Sequence, residues 1–290
     1  MYVTSQYQEL IDRALREDIG SGDLSTRILS EDLTGLAKIY AKQEGVVAGL
    51  SLVEQVFQSV DPRIQVHRLV KEGDRVKLGE VVLELVGALS SILQGERTAL
   101  NFLQHLSGIA TATKQAVDQV AGLPVRIVDT RKTMPGWRAL QKYAVRVGGG
   151  QNHRFGLYDA VMLKDNHLAA VGGLTAAVER TRAQVGHMIK IEVECESMDQ
   201  VKEAVTCGVD VIMLDNMGVE EMREAVLYID KRAIVEASGG MQEELLRNVA
   251  ETGVDLISIG ALTHSVKAMD FSLDLGDIKA STKASWERGI

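Results

Sequence analysis

IKIEVECESMDQVKEAVTCGVDVIMLDN (189–216) holds two short apolar runs, IKIEVEC (189–195) and DVIMLDN (210–216), on either side of a helically spaced stretch, Met198–Cys207. Runs of this length, rich in β-branched residues, predict strands buried on both faces. A helix between two such strands predicts a parallel pair. The same alternation extends both ways. VRIVD (125–129) and AVMLK (160–164) lie upstream, and AIVEASG (233–239) and DLISIGA (255–261) lie downstream. Further helices are expected over 175–184, 219–230 and 242–251. Six strand–helix units without a dinucleotide-binding glycine fingerprint predict an α/β barrel. Six is short of eight, so the barrel is expected to be incomplete.

The first hundred residues read differently. Residues 5–19 predict an amphipathic helix with Leu10, Ile11, Ala14 and Leu15 on one face, stopped at Gly20. GLAKIYAKQEGVVAG (35–49) reads as strand and turn, and residues 66–86 as short strands punctuated by Gly73 and Gly79. EGDRVKLGEVV inside that segment looks like a carrier-domain hairpin. It places no modifiable lysine at a tight turn, and it is read as scaffold. Residues 90–121 predict a long helical region that breaks near Ser107-Gly108.

Composition limits the functional classes. The 290 residues are 46% hydrophobic and 25% charged, with three prolines and 27 dispersed glycines, an ordinary globular balance without a low-complexity linker. No signal-peptide core and no membrane-spanning apolar run is present, so a soluble, cytoplasmic protein is expected. Cys195 and Cys207 are read as buried reduced thiols. A formal net charge of -8 argues against nucleic acid as the main partner. Between Arg131 and Lys164, however, seven basic residues (Arg131, Lys132, Arg138, Lys142, Arg146, Arg154, Lys164) face one acid, Asp159. That local excess predicts a pocket for a small anion. Arg138, Lys142 and Arg146 sit at helical spacing and are read as a solvated face. His67, His105 and His187 carry no pattern. Trp137 and the methionines read as packing.

In α/β barrels the chemistry lies at the carboxyl ends of the strands. Those ends here are Asp129-Thr130-Arg131-Lys132, Lys164-Asp165-Asn166-His167, Glu194, Asp215-Asn216, Ser238-Gly239-Gly240 and Ile259-Gly260-Ala261. Ser238-Gly239-Gly240 opens an expected helix, and its glycines would let a phosphate approach the backbone near free N–H groups. Gly260 repeats this after the next strand. The alternative for Ser238 is a plain helix N-cap. Glu194 and Asp215 end neighbouring strands and suit Mg²⁺ bridging to phosphate, or else they pair with nearby cations. Arg131, Lys132, Arg154 and Lys164 could surround a dicarboxylate, with His153 beside Arg154.

REDIGSGDLST (16–26), ERTALNFLQHLSGIAT (96–111), DTRKTMPGWRALQKYAVRVGGGQNHRFGLYDAVMLKDNH (129–167), IEVE (191–194), MLDN (213–216), EASGG (236–240) and ISIGALTHS (257–265) together resemble the quinolinate phosphoribosyltransferase family. The resemblance covers nearly the whole chain. It implies an N-terminal α/β sandwich domain (1–108) and an incomplete TIM-like α/β barrel (109–267), the type II phosphoribosyltransferase architecture. It also implies a C-terminal tail (268–290) packed on the first domain.

Quinolinate, phosphoribosyl pyrophosphate and Mg²⁺ are the implied substrates and cofactor. Nicotinate mononucleotide, pyrophosphate and CO₂ are the implied products, in NAD biosynthesis. A homodimer, or a hexamer built as a trimer of dimers, is implied, with Arg97 lent across the interface. Arg131, Lys132, His153, Arg154 and Lys164 would hold quinolinate. Thr130, Ser238, Gly239, Gly240, Ile259, Gly260 and Ala261 would contact substrate or the ribose phosphate, with His264 close by. Lys132, Lys164, Glu194 and Asp215 are the implied catalytic residues, the two acids serving Mg²⁺ directly or through water. Rival readings are a Schiff-base barrel lyase using Lys164 or Lys132, a related phosphoribosyltransferase acting on nicotinate, a molybdenum-transport paralogue, and a non-catalytic phosphate sensor on the same scaffold.

Overall fold

A computed structural model of the chain describes residues 5–30 and 33–275. The chain divides into two compact units, Met1–Thr111 with Lys267–Ile290, and Ala112–Val266.

The first unit opens with α1 (Ser5–Ile19) and β1 (Thr34–Ala41), then β2 (Gly45–Val46), α2 (Leu50–Val60), β3 (Gln65–Arg68), β4 (Arg75–Val76) and β5 (Val81–Ala88). α3 (Leu89–Gln119) runs on past the division between the units. Ala37, Ile39 and Ala41 alternate with more exposed residues along β1, so one face of its sheet is buried. The expected break at Ser107-Gly108 does not occur, because both residues are packing devices. The buried Ser107 hydroxyl accepts the N–H of Ala48 at 3.0 Å. Gly108 lies so close to the carbonyl of Lys267 that a Cβ there has no room.

The second unit carries β6 (Arg126–Val128), α4 (Arg138–Val147), β7 (Val161–Leu163), α5 (Asp165–Val171), α6 (Leu174–Arg182), β8 (Ile191–Cys195) and α7 (Met198–Cys207). It continues through β9 (Val211–Asp215), α8 (Val219–Ile229), β10 (Ile234–Ser238), α9 (Leu246–Ala250), β11 (Leu256–Ser258) and α10 (Ala261–His264). The chain then returns to the first unit as β12 (Phe271–Leu275), which pairs antiparallel with β1 in the order β12-β1-β5-β3. The remainder of the expected tail, 276–290, lies outside the described residues.

Local chemistry sets the boundaries in the second unit. α7 starts at Ser197, whose hydroxyl accepts the N–H of Gln200 at 3.4 Å, and ends on Gly208 in the left-handed region. Asp210 then accepts the N–H of Ile191 at 2.9 Å and ties two strand starts together. The expected helix over 242–251 forms only in part. A 3-10 turn at Glu243–Leu245 precedes the five-residue α9. The glycine loop therefore feeds a tight turn and not a regular helix N-terminus.

The six strands form one parallel sheet in the order β6-β11-β10-β9-β8-β7. Beyond β6, Gln151 forms a parallel bridge with Val128. The Arg154 guanidinium then donates to the carbonyl of Ala160 at 2.9 Å, just before β7. A side chain thus spans the place where a complete barrel would have further strands. Ile212 and Leu214 are fully buried between the sheet and its helices. Leu214→Ala should cost about 2–5 kcal/mol by the lost transfer energy and the cavity left behind.

Period-two alternation arranges the inward residues in layers. The upper layer, at the strand ends, has Thr130, Lys164, Glu194, Asp215, Ser238 and Gly260. Two residues earlier come Val128, Met162, Glu192, Met213, Glu236 and Ser258.

Candidate active site

A cavity of about 540 Å³ opens over the strand ends of the second unit. Thr130, Arg131, Lys132, His153, Arg154 and Lys164 line one part of it. Glu194, Asp215, Ser238, Gly239 and Gly240 line the rest. Gly260 sits beneath: a Cβ there would lie 2.9 Å from Lys132 and 3.2 Å from the His264 ring. Ile259, Ala261 and His264 lie next to this floor but do not line the cavity. Arg97 belongs to α3 in the first unit and is exposed.

The cations stand ready for an anion. Arg131 Nε is buried without a partner, an unspent donor in the wall. Burial and the neighbouring charge of Arg131 push the Arg154 guanidinium down from its ordinary value, while Glu192 acts the other way. Lys164 is ion-paired with Glu194. Burial and the charge of Glu194 raise the Asp215 carboxyl from its ordinary value, while Lys164 and Lys132 act the other way.

The loop carrying His153 and Arg154 is clamped by a network the sequence reading missed. Lys142 was expected on a solvated helix face. Its side chain is only 1% exposed and pairs with Asp129, which is 0% exposed. Asp129 also accepts the N–H of His153 at 2.9 Å and the Asn152 amide at 2.5 Å. Lys142 donates to the His153 carbonyl at 3.0 Å. Burial raises Asp129 and lowers Lys142 from their ordinary values, and the pair offsets both shifts. Arg138 is likewise a bracket, donating to Thr133 Oγ1 and to the Phe155 carbonyl at 3.0 Å each. Of the three, Arg146 is the exposed one, and it pairs with Asn152. Helical spacing showed that these residues share a side. It could not show that Lys142 on that side is buried.

Glu192 and Glu236 were also missed. Both are buried in the middle layer, and His153 Nε2 lies 3.2 Å from Glu192 and 3.3 Å from Glu236. Burial works against a charge on His153, but the two carboxylates outweigh it and hold its pKa up at about 10. A signal for them existed: each stands two residues before a strand-end residue already singled out, Glu194 and Ser238, on the same strand face.

Asn216, Met162, Met213, Glu236 and Ser258 complete the wall, so two methionines read as packing face the cavity. Asn216 adopts φ 54°, its amide donates to Asp215 at 2.8 Å, and its backbone N–H donates to the Ser238 carbonyl at 3.1 Å. Gly239, at φ 88°, packs on it; a Cβ there would fall 2.8 Å from the Asn216 nitrogen. Cys195 is buried as expected, Cys207 is only half-buried, and both are free thiols.

The family profile of the quinolinate phosphoribosyl transferase N-terminal domain matches residues 23–107, and that of the C-terminal domain matches residues 109–274. The chain belongs to this family. A relative from Bacillus subtilis strain 168, named a probable nicotinate-nucleotide pyrophosphorylase (carboxylating), is 45% identical over 270 residues, 93% of each chain. A quinolinate phosphoribosyltransferase (decarboxylating) from Nicotiana glauca, named mitochondrial, is 40% identical over 94% of this chain and 83% of its own. The crystal structure of NadC from Streptococcus pyogenes superposes with a TM-score of 0.92 at 43% identity, covering 96% of this chain and all of that one. The two-part α/β architecture of this family member is therefore the one implied by its sequence motifs.

Proposed function

We infer that the cavity at the strand ends joins quinolinate to phosphoribosyl pyrophosphate with loss of CO₂. By family, this chain is a carboxylating nicotinate-nucleotide pyrophosphorylase of NAD biosynthesis. The observation that carries the assignment of roles is the charge layout of one cavity. Arg131 with its free Nε, Lys132, Arg154 and Lys164 face the carboxylates Glu194 and Asp215, with the glycine turn at 238–240 between strand ends. Such a wall suits two anionic substrates that would otherwise repel each other.

Arg131 and Arg154 bind the quinolinate carboxylates, helped by Lys132 and Lys164. The turn at Ser238–Gly240, with Gly260 beside it, receives the ribose phosphate, and Thr130 stands at the edge of both. The pyridine nitrogen lone pair attacks the anomeric carbon, and the bond to pyrophosphate breaks with its electron pair leaving on oxygen. Lysine and arginine charge offsets the charge of the leaving group, and a carboxylate steadies the cationic ribose centre. The bond from the ring to the adjacent carboxylate then breaks. Its electron pair stays on the carbon beside the new ring cation until solvent supplies a proton. Little acid–base chemistry is required, and positioning does most of the rest.

Glu194 and Asp215, hard oxygen donors that converge beside the phosphate turn, fit Mg²⁺, which would lower the negative charge of the pyrophosphate when bound. The Lys164–Glu194 ion pair holds that acid in place without it.

Incubation with quinolinate, phosphoribosyl pyrophosphate and Mg²⁺ should release CO₂ and nicotinate mononucleotide. Turnover of nicotinate in place of quinolinate would overturn the dicarboxylate assignment. We place the working enzyme in the cytoplasm as a homodimer or a trimer of dimers completed by Arg97. Among the described residues, no helix is long and apolar enough to cross a membrane. Mixing Arg97→Ala with Lys164→Ala subunits should restore activity that neither has alone, and a monomeric active enzyme would refute the shared site.

A further inference from the structure

Two cavities meet inside the second unit. Below the substrate cavity lies another of about 310 Å³, lined at the strand starts by Arg126, Lys190, Val211, Ile234 and Leu256. The two share His153, Arg154 and Glu236, which therefore form the partition between them. Glu236 is fully buried, and neither of its carboxylate oxygens has a partner beyond the 3.3 Å approach of His153 Nε2; Glu192 Oε1 has none. Unpartnered buried carboxylate oxygen is costly, so what these acids do in the partition needs an explanation.

The hydrogen positions on His153 narrow the answer. Its Nδ1 accepts the backbone N–H of Arg154 at 2.7 Å. A neutral ring therefore carries its hydrogen on Nε2, and a charged ring carries one there as well. In either state the hydrogen-bearing Nε2 lies 3.2 Å from Glu192 and 3.3 Å from Glu236. The three ligand atoms lie within 4.8 Å of one another, a spacing that suits a metal ion. Nε2 keeps its hydrogen, however, and offers a metal no lone pair.

We propose that Glu236, seconded by Glu192, is a positioning residue for quinolinate: it receives the Nε2–H of His153 from below and so fixes the His153–Arg154 partition on which the dicarboxylate rests. In this role His153 acts through Arg154. Asp129 and Lys142 hold the backbone of the same loop from its other side. The inference rests on the placement of quinolinate at Arg154.

Two substitutions that remove the same charge separate acceptance from electrostatics. Glu236→Leu cannot accept a hydrogen bond, and Glu236→Gln can. Glu236→Leu should raise the KM for quinolinate about tenfold or more while that for phosphoribosyl pyrophosphate stays within about twofold. Glu236→Gln should stay within about threefold of the parent on quinolinate. Equal quinolinate KM values in the two variants, or parallel shifts for both substrates, would overturn the proposal. Should Glu236→Leu fail to fold, ¹⁵N NMR of His153 in the unmodified enzyme decides: a protonated Nε2 is expected, and a neutral ring protonated only at Nδ1 would overturn it. Arg154→Ala tests the underlying placement separately. If it leaves the quinolinate KM unchanged, that placement fails. If it raises KM while Glu236→Leu does not, only the positioning role fails.

Discussion

Lys142 and Asp129 form a buried ion pair whose spare hydrogen-bonding capacity is spent on the backbone of His153, one residue before Arg154. The barrel thus uses a cation it never shows to solvent to place one that it shows to substrate. Lys142→Met should strand the Asp129 charge and cost about 3–5 kcal/mol of stability, as broken buried pairs do. Urea denaturation measures this directly. A loss indistinguishable from that of a surface substitution would mean that the pair is not holding the loop.

Arg131 makes a different prediction, because its buried Nε has no protein partner to lose. Arg131→Ala should leave the melting temperature nearly unchanged and raise the quinolinate KM about ten- to hundredfold, the worth of a charge-assisted contact. Unchanged kinetics would remove Arg131 from the binding wall.

The glycine turn is tested by Gly239→Ala. The added methyl meets the Asn216 backbone nitrogen at 2.8 Å, in a left-handed conformation at φ 88°. A strain of about 1–3 kcal/mol is expected. It should appear chiefly as weaker phosphoribosyl pyrophosphate binding in calorimetry. Gly136→Ala, also left-handed but with open space around its Cβ, controls for backbone strain alone.

For His153 the direction of pH dependence is fixed by its raised pKa of about 10 against an ordinary 6.5. The folded state holds that proton more tightly, so the stabilisation is complete below pH 6.5 and fades as pH rises through about 10. The stability difference between the parent and His153→Gln should therefore shrink between those limits. A difference that grows with pH would mean the ring is neutral in the folded protein. Glu192, Glu236 and Arg154 face the ring, and Asp129 and Lys142 hold its backbone, so parent and variant must be compared at each pH.

Much of this was legible in the chain itself. Alternating apolar runs and helices announced the parallel sheet, and polar strand ends announced Lys164, Glu194, Asp215 and Ser238 at one opening. What stayed hidden has a common cause. Lys142 looked solvent-facing because its partner Asp129 is thirteen positions away in sequence, across a turn whose path periodicity cannot trace. Glu192 and Glu236 sat inside apolar runs, where a charge reads as noise until inward alternation is applied strictly. Ser107-Gly108 looked like a helix break because the pair's packing partners, Ala48 and Lys267, are distant in sequence.

The side chain of Arg154 also fastens Ala160, where the ring of strands lacks its last members. One guanidinium is therefore both a latch for the wall and a handle for the ligand. A molecule that grips it also steadies that join, so amide hydrogens around residues 160–163 should exchange more slowly once the pyridine acid is in place.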